Sequence, residues 1–213
     1  MAEVMKKYMI FAAIAAAVLA AGCAKENLVQ PEQGTVLKAS LSSLTKTAID
    51  GVKISWTEGD AINVNGANSY AITEAAATAT FEFKTALTSP YKAVYPTTIY
   101  KDASTVTLPS TLDANTFFTP LAGYLESGET MSFKALTAFL KISLTGEATT
   151  TVKDLTLKGL GEEQLSGDFA IDFTTLALTG SSTADADKVV KLNIYQALPA
   201  TPLVLYIPIP PGN

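Results

Sequence analysis

The chain has 213 residues, 48% of them apolar and 16% charged, and its 15 basic residues are all lysine against 20 Asp plus Glu, for a formal charge of −5. Histidine and arginine are absent and Cys23 is the one cysteine, so the commonest general base, the commonest metal ligand and any internal disulfide are missing. Serine triads and zinc sites therefore lack members. Lysines adjoin only at Lys6-Lys7, which argues against a phosphate-binding surface for nucleic acid.

The chain opens with a pattern read as a lipoprotein export signal. Lys6 and Lys7 form a positive n-region, Tyr8 to Ala21 is an apolar stretch of 14 residues, and Gly22 precedes Cys23 as the small residue before the cleavage point. The stretch is too short for a membrane span, which needs about 20 apolar residues. Cleavage is expected between Gly22 and Cys23, leaving Cys23 as a lipidated first residue, although Ala20 stands where such signals prefer leucine. Residues 23–34 are polar, contain Pro31 and show no period, as expected of a flexible tether. Lys25-Glu26, directly after the cysteine, reads either as a surface-export tag or as part of that tether.

From there the apolar residues recur with period two, which predicts β-strands rather than helices. Val52, Ile54 and Trp56 alternate with polar neighbours, as do Ile62 with Val64, Phe81 with Phe83, and Val106 with Leu108. A long run follows over Leu136, Ala138, Leu140, Ile142 and Leu144, broken only by Phe139. Later runs are Leu155 with Leu157, Phe169 with Ile171 and Phe173, Leu176 with Leu178, and Val190 with Leu192 and Ile194. Turn signals such as Asp50-Gly51, Glu58-Gly59-Asp60, Asn65-Gly66, Ser127-Gly128 and Thr145-Gly146 separate them. Ala75 to Ala79 is too short for a stable helix and reads as loop or strand edge.

This spacing predicts an all-β chain of antiparallel sandwiches. A boundary near Glu126 to Thr130 predicts an N-terminal sandwich over 35–129 and a C-terminal one over 130–213. Leu203 to Ile209 reads as a buried strand, and so little chain follows that the second sandwich is expected to be truncated or to carry an open edge that a partner strand would cover.

Several residues invite site readings. Trp56 suggests sugar stacking, but it shares the parity of Val52 and Ile54 and is expected to anchor the core. Asp60, Asn63, Asn65 and Asn68 carry oxygens suited to calcium, yet follow no ligand-loop spacing and read as turn residues. Glu162-Glu163 and Asp185 with Asp187 offer carboxylate pairs of the kind glycosidases use, but adjacent loop acids usually face solvent. No enzyme activity, cofactor or metal is expected.

A series of spaced phrases resembles the fimbrillin-like proteins of Bacteroidota, which include type V pilus subunits and related surface lipoproteins. Its members are Thr45-Lys46-Thr47, Ile54-Ser55-Trp56-Thr57-Glu58-Gly59-Asp60-Ala61-Ile62, Ala79-Thr80-Phe81 and Tyr91-Lys92-Ala93-Val94-Tyr95-Pro96. Ser132-Phe133-Lys134 leading to Ala138-Phe139-Leu140-Lys141-Ile142, Leu165-Ser166-Gly167 and Thr201 to Pro211 complete it. The resemblance runs from about residue 35 to the end. It implies two transthyretin-like β-sandwich domains, the second of them normally continuing past the Pro-Pro-Gly turn.

The resemblance further implies assembly by strand exchange, in which a protease removes a subunit's first strand and a strand from another subunit fills the groove. Stalk subunits are commonly cut after arginine. Here Lys46 occupies the corresponding place, which implies either a lysine cut or a subunit that keeps its first strand and its lipid. An uncut chain would stay on the outer membrane, since its acyl chains contribute about 0.8 kcal/mol per buried methylene. The expected partners are other pilus subunits, the outer membrane and a host surface ligand. A monomeric surface module binding host glycans or proteins is the alternative.

Overall fold

Period-two alternation becomes sixteen strands in the computed structural model, which describes residues 34–42, 55–199 and 201–211 and contains no α-helix among them. In chain order they begin β1 (Val36–Leu41), β2 (Asn63–Val64), β3 (Ala67–Asn68), β4 (Thr78–Glu82), β5 (Tyr91–Tyr95), β6 (Tyr100–Asp102), β7 (Thr105–Leu108) and β8 (Thr111–Asp113). There follow β9 (Leu121–Leu125), β10 (Thr130–Ala135), β11 (Ala138–Leu144), β12 (Thr151–Lys158), β13 (Gly167–Asp172), β14 (Ala177–Gly180), β15 (Val189–Ala197) and β16 (Leu203–Ile209). Single 3-10 turns stand at Thr97–Ile99 and Asp185–Lys188.

The largest sheet has seven strands in the order β3-β2-β5-β9-β10-β1-β4, antiparallel except where β1 runs parallel to β10. It curls around a core that includes Leu37, Trp56, Ile62, Phe81, Met131 and Phe133. On its other face Val94 and Ala122 meet Val106, Phe169, Ile171 and Phe173, which belong to the second sheet, β14-β13-β7-β6, and the turn after β13. β5 and β9 are thus covered on both sides, and the neighbours Ala93 and Val94, like Leu121 and Ala122, are all buried.

Gly123 sits in β9 opposite Phe133. A Cβ there would lie 2.6 Å from Met131 Sδ and 3.2 Å from the Phe133 ring, so glycine makes room for those side chains to cross the strand.

A third core lies between the sheets β12-β15-β8 and β11-β16, around Leu112, Leu165, Val190, Leu192, Leu205 and Ile207. The expected all-β, sandwich-like fold is what the chain adopts. The described residues fall within one unit by their contacts. The expected division at 129/130 falls in the turn between β9 and β10, which are hydrogen-bonded neighbours in one sheet. Strands from before that point also pair with later ones, β7 with β13 and β8 with β15.

The long run from Leu136 to Leu144 is one strand, β11, from Ala138 on, and Leu136 and Thr137 lie in the link before it. β10 ends at Ala135, Leu136 N–H donates to the Pro120 carbonyl at 2.9 Å, and β11 starts in a different sheet at Ala138. The alternation changes phase at the break, where Leu136 and Thr137 are both buried as the chain changes sheets. Phe139 departs from the alternation for a separate reason. It faces the outer side of β11, stacked on Phe117 at 5.2 Å, and Tyr206 meets the same Phe117 ring edge-on at 5.9 Å.

Candidate functional site

The feature with the clearest capacity for assembly is the slot that β1 occupies. β1 is laddered along both edges, from Lys38–Thr130 to Leu41–Phe133 on the β10 side and from Val36–Glu82 to Ser40–Thr78 on the β4 side. Leu37 and Ala39 point into the core and are 1% and 0% exposed. Lys38 and Ser40 alternate outward, so the segment VLKASL reads as a strand with one apolar face.

Trp56 locks this strand from below. Its Nε1–H donates a buried 2.9 Å hydrogen bond to the Ala39 carbonyl, and its ring meets Phe81, Tyr95 and Phe133 edge-on at 5.0, 5.3 and 5.3 Å. The strand ends are tied as well. Ser42 Oγ donates to the Phe133 carbonyl at 2.7 Å, and Thr35 Oγ1 accepts from Leu87 N–H at 2.6 Å.

Among the described residues β4 has β1 as its sole strand neighbour. Withdrawing β1 would therefore expose two unpaired strand edges and an apolar floor of Trp56, Phe81, Met131 and Phe133. A strand that refilled the slot would need a large, small, large series at alternate positions, as Leu37, Ala39 and Leu41 supply.

The rim of the third core is a second place where a strand could add. Burial is complete on the strands next to that rim, β16 and β15, with Ile207 and Leu192 at 0% and 2% exposed. On β11 and β12, each at the edge of its sheet, Ile142, Leu144, Val152, Leu155 and Leu157 are only half-buried, and Leu140 is 39% exposed.

The sequence candidates fall out as follows. Gly22, Cys23, Lys25, Glu26 and Lys46 lie outside the described residues, as do Val52 and Ile54. Trp56 is 1% exposed, so no sugar can stack on it. Asp60 accepts from Thr57 N–H at 2.7 Å through Oδ2 and from the Tyr95 hydroxyl at 2.8 Å through Oδ1. Burial, and then the Asp60 carboxylate, push the Tyr95 hydroxyl well above the ordinary tyrosine range.

Asn63, Asn65 and Asn68 serve the hairpin. Asn65 and Gly66 have φ of 52° and 89°, the left-handed pair that a tight two-residue turn demands. Asn65 Nδ2 donates to the Thr88 and Pro90 carbonyls while its Oδ1 accepts from Lys92 N–H, and Asn63 Nδ2 donates to Asn68 Oδ1 at 2.7 Å. These oxygens are spent on turn structure, and no cluster of three or more acids that could hold a metal occurs among the described residues.

The acid pairs also serve local structure. Glu162 meets Lys188 at 3.2 Å and Glu163 accepts from Gly161 N–H at 2.7 Å. Asp187 takes the Ser182 hydroxyl, and its carbonyl accepts from both Leu165 and Ser166 N–H.

Residue patterning alone did not single out β1, although the resemblance implied a first strand before Lys46. The alternation of Leu37, Ala39 and Leu41 was present, but a small residue at its centre weakens the signal, and a parallel partner as remote in sequence as Thr130 is from Lys38 leaves no local trace. No family model, no curated protein and no solved structure matches this chain.

Proposed function

We propose that the protein is a cell-surface lipoprotein, held in the outer membrane through lipid on Cys23, that acts as a pilus subunit or anchor. It joins its neighbours by β-strand complementation and serves adhesion. One observation carries the reading: β1 precedes Lys46 and is paired along both edges over an apolar floor. A cut after Lys46 severs β1 from the body without breaking any other described strand. The vacated slot would offer main-chain donors and acceptors on both sides for affinity, and alternate pockets for register.

Burial of the slot's side chains supplies the driving force, at about 25 cal/mol per Å² of apolar surface removed from water. The first strand and its replacement compete for one slot, which keeps the uncut chain from polymerising. A subunit left uncut retains both β1 and its lipid, and would act as an anchor.

The test is to treat the purified full chain with a lysine-specific protease and follow its size in cold SDS. The expected result is a new N-terminus at Thr47 and a ladder of detergent-resistant oligomers, with Lys46→Ala remaining uncut there and monomeric. Cut and uncut chains that both run as monomers would sink the proposal.

A further inference from the structure

A second surface feature has no place in strand exchange. β15 alternates cleanly, with Val190, Leu192 and Ile194 buried, until its pairing with β12 slips. Val152 faces Gln196 and Asp154 faces Asn193, so Ile194 and Tyr195 together oppose Lys153. This is a β-bulge, and it places Tyr195 in the left-handed region at φ 47°.

For a bulky residue that backbone is strained, and such strain recurs at binding sites, where it aims a side chain. Tyr195 shares the outward parity of Lys191 and Asn193, and it is 70% exposed to solvent.

The ring stands beside an open cleft of about 350 Å³ lined by Asp113, Asn115, Asn193, Ile194, Tyr195 and Gln196. Its floor is well defined. β8 runs parallel to β15 with Asp113 beside Asn193, and Ala114 N–H donates to the Asn193 carbonyl at 2.9 Å. Asp113 Oδ1 is occupied by Asn115, through its N–H at 2.8 Å and its side-chain amide at 3.0 Å. Asp113 Oδ2 and the side chains of Asn193, Tyr195 and Gln196 make no hydrogen bond among the described residues.

This composition has a chemical meaning. A pyranose ring has a C–H face that packs on an aromatic plane, and hydroxyl groups that each donate and accept. Carboxamides do both, and a carboxylate accepts from two neighbouring hydroxyls. No cation lines the cleft, and Lys191, the lysine on the same strand, is engaged with Asp154 at 3.2 Å. An acidic sugar would meet Asp113 with nothing to offset it.

We infer that the cleft beside Tyr195 is a binding site for neutral saccharides, with the tyrosine ring as stacking platform and Asp113, Asn193 and Gln196 as hydroxyl partners. The site is independent of the strand-exchange reading, because it lies on the β8–β15 surface of a folded monomer and needs no second subunit.

The experiment is to apply the full chain to an array of immobilised neutral oligosaccharides of glucose, galactose, mannose and N-acetylhexosamines, beside sialylated and sulfated counterparts. Binding to neutral members is expected, and Tyr195→Asn should weaken it at least about tenfold, the usual scale for losing a central aromatic contact. Asparagine tolerates left-handed backbone, so that variant keeps the bulge. Tyr70→Asn, which removes another exposed tyrosine outside the cleft, should bind as the parent does. Should Tyr195→Asn not reach the parent's far-ultraviolet circular dichroism, Asn193→Ala decides in its place, with the same loss expected. Binding to no member, binding confined to acidic members, or neutral binding that survives the deciding substitution would overturn the assignment.

Discussion

Replacing Trp56 separates two contributions to the first core, and the structure sets the size of each. Trp56→Ala removes a ring that is 1% exposed and packed edge-on against three others. Emptying a buried aromatic site costs about 3–5 kcal/mol, and the edge contacts place this site in the upper part of that range. Trp56→Phe keeps most of the packing but deletes the N–H that donates to the Ala39 carbonyl at 2.9 Å. Ala39 is fully buried, so the lost donor is not replaced by water, and the cost is about 1–3 kcal/mol.

Both changes act on the seat of β1. Urea unfolding followed by far-ultraviolet circular dichroism measures them without relying on the tryptophan itself. The alanine variant should lose a large share of the total, since domains of ordinary stability have about 5–15 kcal/mol in all. A phenylalanine variant within about 0.5 kcal/mol of the parent would refute the claim that the indole N–H holds β1, because a lost buried bond cannot be that cheap. An alanine variant losing less than about 2 kcal/mol would refute the packed core around it.

Other expectations follow from single features. Gly167 has φ 83°, and a Cβ there would lie 2.6 Å from Asp187 Oδ1, so Gly167→Ala should cost about 1–2 kcal/mol for the backbone and more for displacing the carboxylate. Gly128, at φ 108° with open space around it, is the control, and equal losses at the two sites in thermal melts would remove the role given to Asp187. Tyr95 titrates higher in the folded chain than its ordinary value of 10.0, so its contribution is intact below that pH and fades as pH rises above it. Tyr95→Phe should therefore flatten the alkaline fall in urea midpoint, and an unchanged slope would contradict the burial assigned to that hydroxyl. Cys23→Ser should move the protein from the membrane to the soluble fraction of its host cells, and continued sedimentation with membranes would speak against lipid as the anchor.

Most of the strand content was legible because period two is a local property. Phe169 with Ile171, and Val190 with Leu192 and Ile194, each announce a sheet with one covered face. Asn65-Gly66 announces its hairpin because only such residues accept that backbone without strain. Legibility ended where a strand is covered on both faces or carries a small residue at a contact. β9, with Leu121, Ala122 and Gly123, shows no clean alternation for the first reason, and β1 is faint for the second.

Sequence by itself showed which residue types are missing, histidine and arginine, and the repertoire of secondary structure, since both depend on residue type and on neighbours a few positions apart. It also assigned Trp56 to the core through parity alone. Pairing belonged to the tertiary structure, because ladder partners are chosen by complementary faces far apart in the chain. Thus β1 lies between β10 and β4, and β10 and β11 part into different sheets, the apolar phase shifting from Met131 and Phe133 to Leu136 and its successors where the chain crosses. Tyr195 faces outward by the parity of its strand, but the slip against β12 that sets its left-handed backbone is visible only when both strands are in place.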